Sequence, residues 1–365
     1  MKKVLWVITI ILIFGLSFTG CSQSEPSETT TSPSKTTSTI STTTQATDSE
    51  PIVLSLGEYL PSTHWRAVAA QEWADKIEAA TNGRVKINTY MAGTLVGPDQ
   101  AWVEVKNGTC DIYEIPGQYQ PSIFPITIAT QRFFYGVKNI ETVYSVYDQL
   151  TKDFPEFAAE WSDVKVLFCC PGGIQSLHTS KPVRTLEDLK GMNIRTTGSW
   201  LKETFSILGA STVAIPPTDL YTSLQKGIAD GHVHPMEAIE SLRTAEILPY
   251  TTNLGLCDGA PSRFCINWDT WNNLPDDIQK ILGDGFEEWS NMDREALRKS
   301  YDNAIEFAEQ YDHEWINLSE EDQAKFNQAL EQEALIAAKE LDDQGLPGSE
   351  ILARVQELIK SIEPD

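Results

Sequence analysis

One arginine, Arg195, ends a short predicted strand over residues 192–196 and precedes a turn and an amphipathic helix. In open α/β sheets, ligands bind beyond the carboxyl ends of the strands, where this residue lies. A guanidinium group presents a planar set of donors that fits a carboxylate with two charge-assisted hydrogen bonds. The position predicts that Arg195 binds an anion from solution; pairing with Asp188 or Glu187 across the preceding turn is the alternative.

Other side chains that could contact a ligand follow the predicted strands of the first half of the chain. Each has a packing or surface role as its alternative, and they are Glu58, Tyr59, His64, Trp65, Gln118 and Tyr119. Trp200, in the first turn of the helix after Arg195, is a candidate to stack on a ligand. A carboxylate at Glu58 would suit a hydroxyl or amine donor on that ligand.

His232 and His234 lie two residues apart in the stretch ADGHVHPMEAI, and this spacing puts both on one face of a strand. Zinc needs three or four protein ligands, and the sequence near these two histidines does not indicate a third. The sequence also has no Gly-x-Ser-x-Gly, His-Glu-x-x-His or phosphate-loop pattern. We therefore predict no metal site, no cofactor and no enzyme activity.

The elements that must position these residues alternate between strands and helices. The first half predicts strands at residues 52–60, 84–91 and 110–115, with helices that end near residues 80 and 106. Strands that alternate with helices pair in parallel and form an α/β layered lobe.

The second half continues in this style, with strands predicted in VKVLFCC, at residues 175–179, in NIRTT, in STVAI and in ADGHVH. The chain from about residue 51 is too long for one small core, so two lobes are expected. A helical pattern then runs from Pro275 to about Tyr311, roughly 54 Å at 1.5 Å per residue, which is long enough to bridge both lobes. Two further helices are predicted at residues 319–341 and 349–362.

The N-terminal residues predict export from the cytoplasm. Lys2 and Lys3 precede an apolar run at residues 4–18 that is too short for a membrane span. Gly20-Cys21 follows in the layout of a bacterial lipoprotein signal, with a plain export signal as the alternative. Cys21 is then the lipid anchor, and the protein is extracytoplasmic, in the periplasm or on the outer face of the cytoplasmic membrane.

Composition limits the partners. Ser and Thr make up 18 of the 29 residues at 22–50, which predicts a disordered tether. The formal net charge of −24 argues against binding to nucleic acid or to anionic lipid surfaces. Cys257 and Cys265 flank a turn, and the sequence leaves open whether they form a disulfide.

Four stretches resemble the solute-binding proteins of TRAP (tripartite ATP-independent periplasmic) transporters of the DctP type. They are TNGRVKINTYMAGTLVG, VKNGTCDIYEI, SKPVRTLEDLKGMNIRT and LGASTVAIPPTDLYTSLQKGIADG, and the similarity covers about residues 51–340. The resemblance implies an α/β, two-lobed periplasmic-binding-protein-like fold of the class II type, with crossing strands and a long helix that spans both lobes. It also implies that the lobes close on a small organic acid and deliver it to membrane permease subunits.

The resulting domain prediction has four parts. A signal peptide at 1–21 and the tether at 22–50 precede the lobes, and the lobe segments are 51–173 with 260–300 for lobe I and 174–259 with 301–365 for lobe II. A sensory lipoprotein with the same ligand site is the alternative function, and an envelope hydrolase is the less favoured one.

The resemblance also assigns roles to three residues. The family uses the arginine that aligns with Arg195 for the ligand carboxylate. His234 stands where the family usually has Asn, so it is the expected second carboxylate ligand, with affinity that rises as pH falls toward about 6, near the usual imidazole pKa. Gln175 stands where members that bind dicarboxylates or sialic acid show Arg, and the lost charge favours a monocarboxylate.

Overall fold

The computed structural model describes residues 50–196, 199–215, 217–257 and 262–364. The predicted signal peptide, the Cys21 anchor and nearly all of the tether lie outside the described residues. Among the helices that are described, none has the length and apolar character needed to cross a membrane.

Strands in the described part of the chain form two separate sheets. In chain order they are β1 (Ile52–Gly57), β2 (Val85–Tyr90), β3 (Ile112–Pro116), β4 (Lys165–Cys170), β5 (Ile174–Thr179), β6 (Asn193–Arg195), β7 (Ser211–Val213), β8 (Gly231–Pro235), β9 (Tyr250–Cys257), β10 (Ser262–Ile266) and β11 (Glu314–Asn317). The first sheet has the order β2-β1-β3-β10-β4, and the second has the order β11-β9-β5-β8-β6-β7.

Helices cover the faces of both sheets. They are α1 (Trp65–Ala80), α2 (Ala101–Lys106), α3 (Pro125–Thr130), α4 (Ile140–Asp153), α5 (Pro155–Ala159), α6 (Ser199–Ile207), α7 (Pro217–Gln225), α8 (Ala238–Ser241), α9 (Trp268–Asn273), α10 (Asp276–Glu309), α11 (Glu320–Asp342) and α12 (Gly348–Ile362). Helix α1 begins one to two residues later than the sequence predicts, because His64 Nδ1 accepts a hydrogen bond from the Arg66 backbone N–H and caps it.

Strand direction is mixed in both sheets, whereas the sequence predicts parallel pairing. Strand β1 pairs in parallel with β2 and β3, as predicted for the first half. Strand β10 runs antiparallel to β3 and β4 in the first sheet, and β5 runs antiparallel to β8 and β9 in the second. The antiparallel pairs arise because β4–β5 and β9–β10 are connections that pass from one sheet to the other.

The segment between β3 and β4 contains three helices that the sequence analysis did not assign. Helices α3, α4 and α5 pack with α11 and α12 in one apolar core, which includes Phe133, Phe134, Tyr147, Leu341 and Val355. The last two helices of the chain therefore pack against an early segment as well as against the second sheet, where Phe326 and Leu330 of α11 join the apolar core of the second sheet.

The long helix α10 contacts elements of both sheets. Its first half buries Ile278, Leu282 and Trp289 in the core of the first sheet, where the Trp289 ring stacks on Trp73 with ring centroids 4.1 Å apart. Its second half packs Ala304 next to the helix and turn that follow β8. The 34 residues correspond to roughly 51 Å, which matches the bridging role that the sequence predicts for this helix.

Candidate functional site

Arg195 is the last residue of β6, between two parallel strands. It lies opposite Val213 of β7 and His232 of β8, so its side chain is on the same face of the sheet as that of His232. The side chain is 5% exposed, and its Nε donates a 2.9 Å hydrogen bond to the carbonyl of Ile215.

His234 is the direct neighbour of this guanidinium group. Arg195 Nη1 donates to His234 Nε2 over 2.6 Å, so the structure brings together the two residues that were predicted to share the carboxylate. The other ring nitrogen, Nδ1, lies 3.0 Å from Nδ1 of His232, whose Nε2 lies 3.0 Å from Thr244 Oγ1. Arg195, His234, His232 and Thr244 thus form one continuous polar chain behind the strand ends.

The two acids offered as internal partners of Arg195 are engaged elsewhere. Asp188 Oδ2 accepts hydrogen bonds from Thr185 N and Oγ1 at the start of a short 3-10 turn, and Glu187 pairs with Lys190. Within the part of the chain that the structure describes, no carboxylate forms an ion pair with Arg195. Burial lowers the pKa of Arg195 from its usual value, and the guanidinium remains charged.

Histidines behind Arg195 are held in the neutral form. Burial, with Arg195 next and His178 after it, lowers the pKa of His234 well below its usual value. Burial also lowers the pKa of His178 to about 3. The expected rise of affinity toward about pH 6 assumed the usual imidazole pKa. In the ligand-free protein the pKa of His234 is lower than this, because the ring is buried and the adjacent guanidinium opposes a second positive charge.

Four histidines lie close together, three in the second sheet and His313 directly before β11. The rings of His178 and His232 are 4.8 Å apart, and His178 Nδ1 and His313 Nε2 both contact Thr251 Oγ1 at 2.8 and 2.7 Å. In the described residues there is no group of three or more His, Cys, Asp or Glu side chains that could hold a metal ion.

Glu58 follows β1 and is fully buried. Its Oε1 accepts a 3.0 Å hydrogen bond from Leu60 N, and burial followed by the charge of Glu114 raises its pKa well above the usual value. The sequence predicted a carboxylate acceptor at Glu58. Burial and the neighbouring Glu114 carboxyl group instead favour its protonated form, because two adjacent buried carboxyl groups cannot both be ionised cheaply.

Arg66 forms a buried ion network that the sequence analysis missed. Its guanidinium donates to Glu114 Oε1 at 2.9 Å, to Asp293 Oδ1 at 3.0 Å and to the Pro171 carbonyl at 3.1 Å. The sequence pattern that could have indicated this network is the position of its two acids. Glu114 interrupts a fully buried strand, and Asp293 falls on the apolar face of α10, one turn after Trp289.

Of the remaining ligand candidates in the first half of the chain, two are half-buried and two are exposed. Tyr59 is half-buried, and Trp65 is half-buried at the start of α1. Trp65 Nε1 is shielded from solvent and has no hydrogen-bond partner among the described residues. Gln118 and Tyr119 lie in the 3-10 turn after β3 and are exposed.

The structure describes Gln175 and Trp200, the two remaining candidates of the second half, to different extents. Gln175 lies opposite Pro235, and the next residue, Ser176, lies opposite His234. The register of β5 with β9 shifts between Gln175 and Ser176. By its pairing with β8, where successive side chains alternate between faces, Gln175 is on the other face of the sheet from His234, although it is at the same edge as Arg195. The backbone of Trp200 is in α6, and its side chain lies outside the described residues.

A groove of about 1490 Å³ lies between α1, α8 and α10. It is lined by Trp65, by Glu237 and Arg243 from the segment after β8, and by residues of α10. Arg195, His234 and Glu58 do not line it.

The sequence left open whether two cysteines form a disulfide, and in the structure they do not. Cys257 and Cys265 form no disulfide in the structure, and Cys257 Sγ donates to the Gly172 carbonyl over 3.4 Å.

Comparison with known proteins gives one consistent result. The sequence model of the DctP proteins, described as bacterial extracellular solute-binding protein, family 7, matches residues 56–339. The chain is 25% identical over 259 residues to the 2,3-diketo-L-gulonate-binding periplasmic protein YiaO of Escherichia coli, which covers 69% of this chain and 77% of that relative. It is 25% identical over 324 residues to the ectoine-binding periplasmic protein TeaA of Halomonas elongata, over 82% of this chain and 87% of TeaA.

A solved structure is similar over nearly its whole length. It is a TRAP periplasmic solute binding protein from Desulfovibrio salexigens, an open complex with the C-terminus of a symmetry mate bound in the ligand-binding site. The TM-score is 0.72 at 27% identity, and the match covers 86% of this chain and 97% of that one.

Proposed function

The chain belongs to family 7 of the bacterial extracellular solute-binding proteins, the DctP family, and from this premise we propose that it captures a small organic acid, binds the carboxylate through Arg195 and delivers the acid to TRAP permease subunits. Proteins of this family and fold bind solutes and are not enzymes. The fold is the two-lobed α/β fold of TRAP periplasmic proteins, with the first sheet in one lobe and the second sheet in the other.

The observation that carries the proposal is the buried, charged guanidinium of Arg195 without a carboxylate partner among the described residues. A buried charge that has only neutral partners leaves a site where an anion gains a charge-assisted bond in a poorly solvated environment. The occupied site of the Desulfovibrio protein supports the same chemistry, since the C-terminus of a polypeptide carries a free carboxylate.

The finer ligand assignment is a monocarboxylate. Arg195 is the one cationic side chain in strands β5, β6 and β8, and Gln175 adds no charge at that edge of the sheet. We assign the opposing contacts to the first lobe. Protonated Glu58, Tyr59 and the unpaired Trp65 Nε1 can form hydrogen bonds to a hydroxyl or keto group, while Gln118, Tyr119 and Trp200 are peripheral candidates.

Capture involves closure of the two lobes around the ligand, because a ligand held by both favours the closed state. The lipid on Cys21 and the tether then keep the protein near a permease in the same membrane. Solution scattering should show a smaller radius of gyration once a bound acid is added, and an unchanged radius would contradict the closure step.

A thermal-shift screen followed by calorimetry tests the ligand assignment. The panel contains benzoate with benzamide as its uncharged match, 2,3-diketo-L-gulonate, ectoine and succinate. We expect stabilisation by at least one monocarboxylate and none by its amide. Binding of succinate alone would overturn the monocarboxylate assignment, and binding of amides as tightly as acids would overturn the role of Arg195.

A further inference from the structure

We propose that the site binds one proton together with the ligand carboxylate, that this proton resides on Nε2 of His234, and that His232 and Thr244 are positioning residues that hold His234 ready for it. Because Arg195 is taken as the partner of the carboxylate, this inference rests on the proposed function. The relevant geometry is the polar chain from Arg195 to Thr244.

The hydrogen positions in this chain follow from its first member. Arg195 Nη1 lies 2.6 Å from Nε2 and 3.4 Å from Nδ1 of His234. Because a guanidinium group only donates, we assign the shorter contact as the hydrogen bond, in which Nε2 accepts and carries no hydrogen. A neutral imidazole has one N–H, and in His234 it is therefore on Nδ1.

The same reasoning fixes the next ring. His234 Nδ1–H lies 3.0 Å from His232 Nδ1 and donates to it, so His232 carries its hydrogen on Nε2. That N–H lies 3.0 Å from Thr244 Oγ1 and donates to the hydroxyl. All donors point the same way, and both rings are neutral.

Ligand binding disturbs only the first link. When a carboxylate takes the Nη1 donor of Arg195, the lone pair of His234 Nε2 loses its donor and faces an anion. A proton from solvent that bonds to Nε2 converts this repulsion into a charge-assisted hydrogen bond, and the carboxylate balances the new charge on the ring. The Nδ1–H bond to His232 keeps its direction, so the rest of the polar network needs no rearrangement.

A protonated His234 needs a negative charge nearby, and the groups around it in the protein do not supply one. The charged or titratable groups that act on it are Arg195 on β6, His178 on β5, whose Nε2 lies 3.3 Å from the His234 carbonyl, and His232 on its own strand. No carboxylate of the described residues is among them. Burial and Arg195 lower the pKa of His234, which keeps the ring neutral until an anion arrives.

Proton uptake makes affinity depend on pH with a definite sign. Since binding adds up to one proton, the affinity for a carboxylate rises by up to tenfold for each unit by which pH falls, within the range where His234 is neutral when free and charged when bound. An uncharged ligand shows no such dependence.

The test follows nitrogen resonances of the imidazoles and of Arg195 Nε in the full-length protein, with acetate, benzoate and 2,3-diketo-L-gulonate as probes. In the free protein we expect His234 as the neutral Nδ1–H form from pH 8 to 5. A probe that shifts Arg195 Nε and also protonates His234 supports the proposal. A probe that shifts Arg195 Nε and leaves His234 neutral overturns it while the proposed function stands. If no probe shifts Arg195 Nε, the proposed function fails, and the proton site fails with it.

Thr244 supplies the test of positioning, because it touches neither the ligand nor Arg195. Thr244→Val keeps the shape and removes the hydroxyl that accepts from His232, whereas Thr244→Ser retains it. For a probe that binds, calorimetry in phosphate and in Tris measures the protons taken up. We expect wild-type uptake in Thr244→Ser and reduced uptake with a flatter pH profile in Thr244→Val; equal uptake in both variants overturns the positioning role.

Discussion

Two guanidinium groups in this molecule are equally buried, but within the described part of the chain one has carboxylate partners and the other has only neutral partners. Arg66 in the first lobe and Arg195 in the second are each 5% exposed. Arg66 bonds to the carboxylates of Glu114 and Asp293 and to a backbone carbonyl. Arg195 bonds only to a backbone carbonyl and a neutral imidazole among the described residues.

The difference separates a structural charge from a charge kept for a ligand. A buried ion pair whose partners belong to the protein contributes to folding, and removal of one member leaves unpaired charges behind. A buried cation with only neutral partners contributes less to folding and more to the attraction of an anion. Burial therefore does not distinguish Arg66 from Arg195, whereas the charge of their partners does.

The largest expected effect is on stability. Arg66→Met should lower the free energy of unfolding by about 3–5 kcal/mol, because Glu114 and Asp293 lose their shared cation inside the protein. Urea unfolding at pH 7 measures this. Arg84→Met, which breaks the exposed pair with Asp277, is the matched control and should change little. A loss as small as in the control would remove the distinction between the two arginines.

The second effect is on binding. Arg195→Met should weaken binding of a carboxylate ligand by about 2–5 kcal/mol, roughly 30- to 4,000-fold, because the anion loses its charged partner. Calorimetry with the acid identified in the screen measures this, and Arg184→Met, on the surface and paired with Glu314, should bind as the wild type does. Unchanged affinity in Arg195→Met, with the fold intact, would contradict the comparison.

A third effect concerns acid stability of the second lobe. Burial lowers the pKa of His178 to about 3 in the folded protein, whereas the unfolded chain has the usual imidazole pKa of 6.5. Below pH 6.5 the unfolded state therefore binds more protons, and the free energy of unfolding decreases as pH falls. One such histidine contributes a slope of at most about 1.4 kcal/mol per pH unit. His178→Gln should reduce the slope of unfolding free energy between pH 6.5 and 4; an unchanged slope would exclude His178 as its source.

The smallest effect has the opposite sign and lies in the first lobe. Burial and Glu114 raise the pKa of Glu58, so the folded state holds a proton that the unfolded chain releases above its usual pKa. Stability is then lost as pH rises through this window. Relative to wild type, Glu58→Gln should gain stability from pH 5 to 8, as measured by urea unfolding at each pH. A constant difference would mean that Glu58 is ionised in the fold.

The order of elements and the place of Arg195 could be predicted from the sequence because both follow from local patterns. The apolar spacing of α10 and the strand–turn–helix around β6 are short-range signals. The face on which Gln175 lies depends instead on its register with β8 and β9, which joins residues far apart in the sequence. The helices at residues 125–159 were not assigned from the sequence, and their packing partners are in the last helices of the protein.

For a related reason, the sequence predicted which residues of the site lie together but not their protonation states. The structure brings His234 next to Arg195, but the lowered pKa of the ring depends on burial, on Arg195 and on His178, and these two residues lie on two other strands. Likewise, the protonated state of Glu58 depends on Glu114, which follows two strands later in the sequence. Titration states arise from tertiary neighbours, and sequence spacing does not report them.

The hydrogen bond from Arg66 to the Pro171 carbonyl has a further consequence for motion between the halves. It anchors the end of β4 to the first lobe, so bending of the β4–β5 connection is expected after Pro171, in Gly172 and Gly173. A side chain at Gly173 would collide with the Tyr301 hydroxyl and with Pro235, so this pivot has no room for one. On the β4–β5 connection, the backbone that is free to bend is therefore a pair of glycines next to the buried ion network of Arg66.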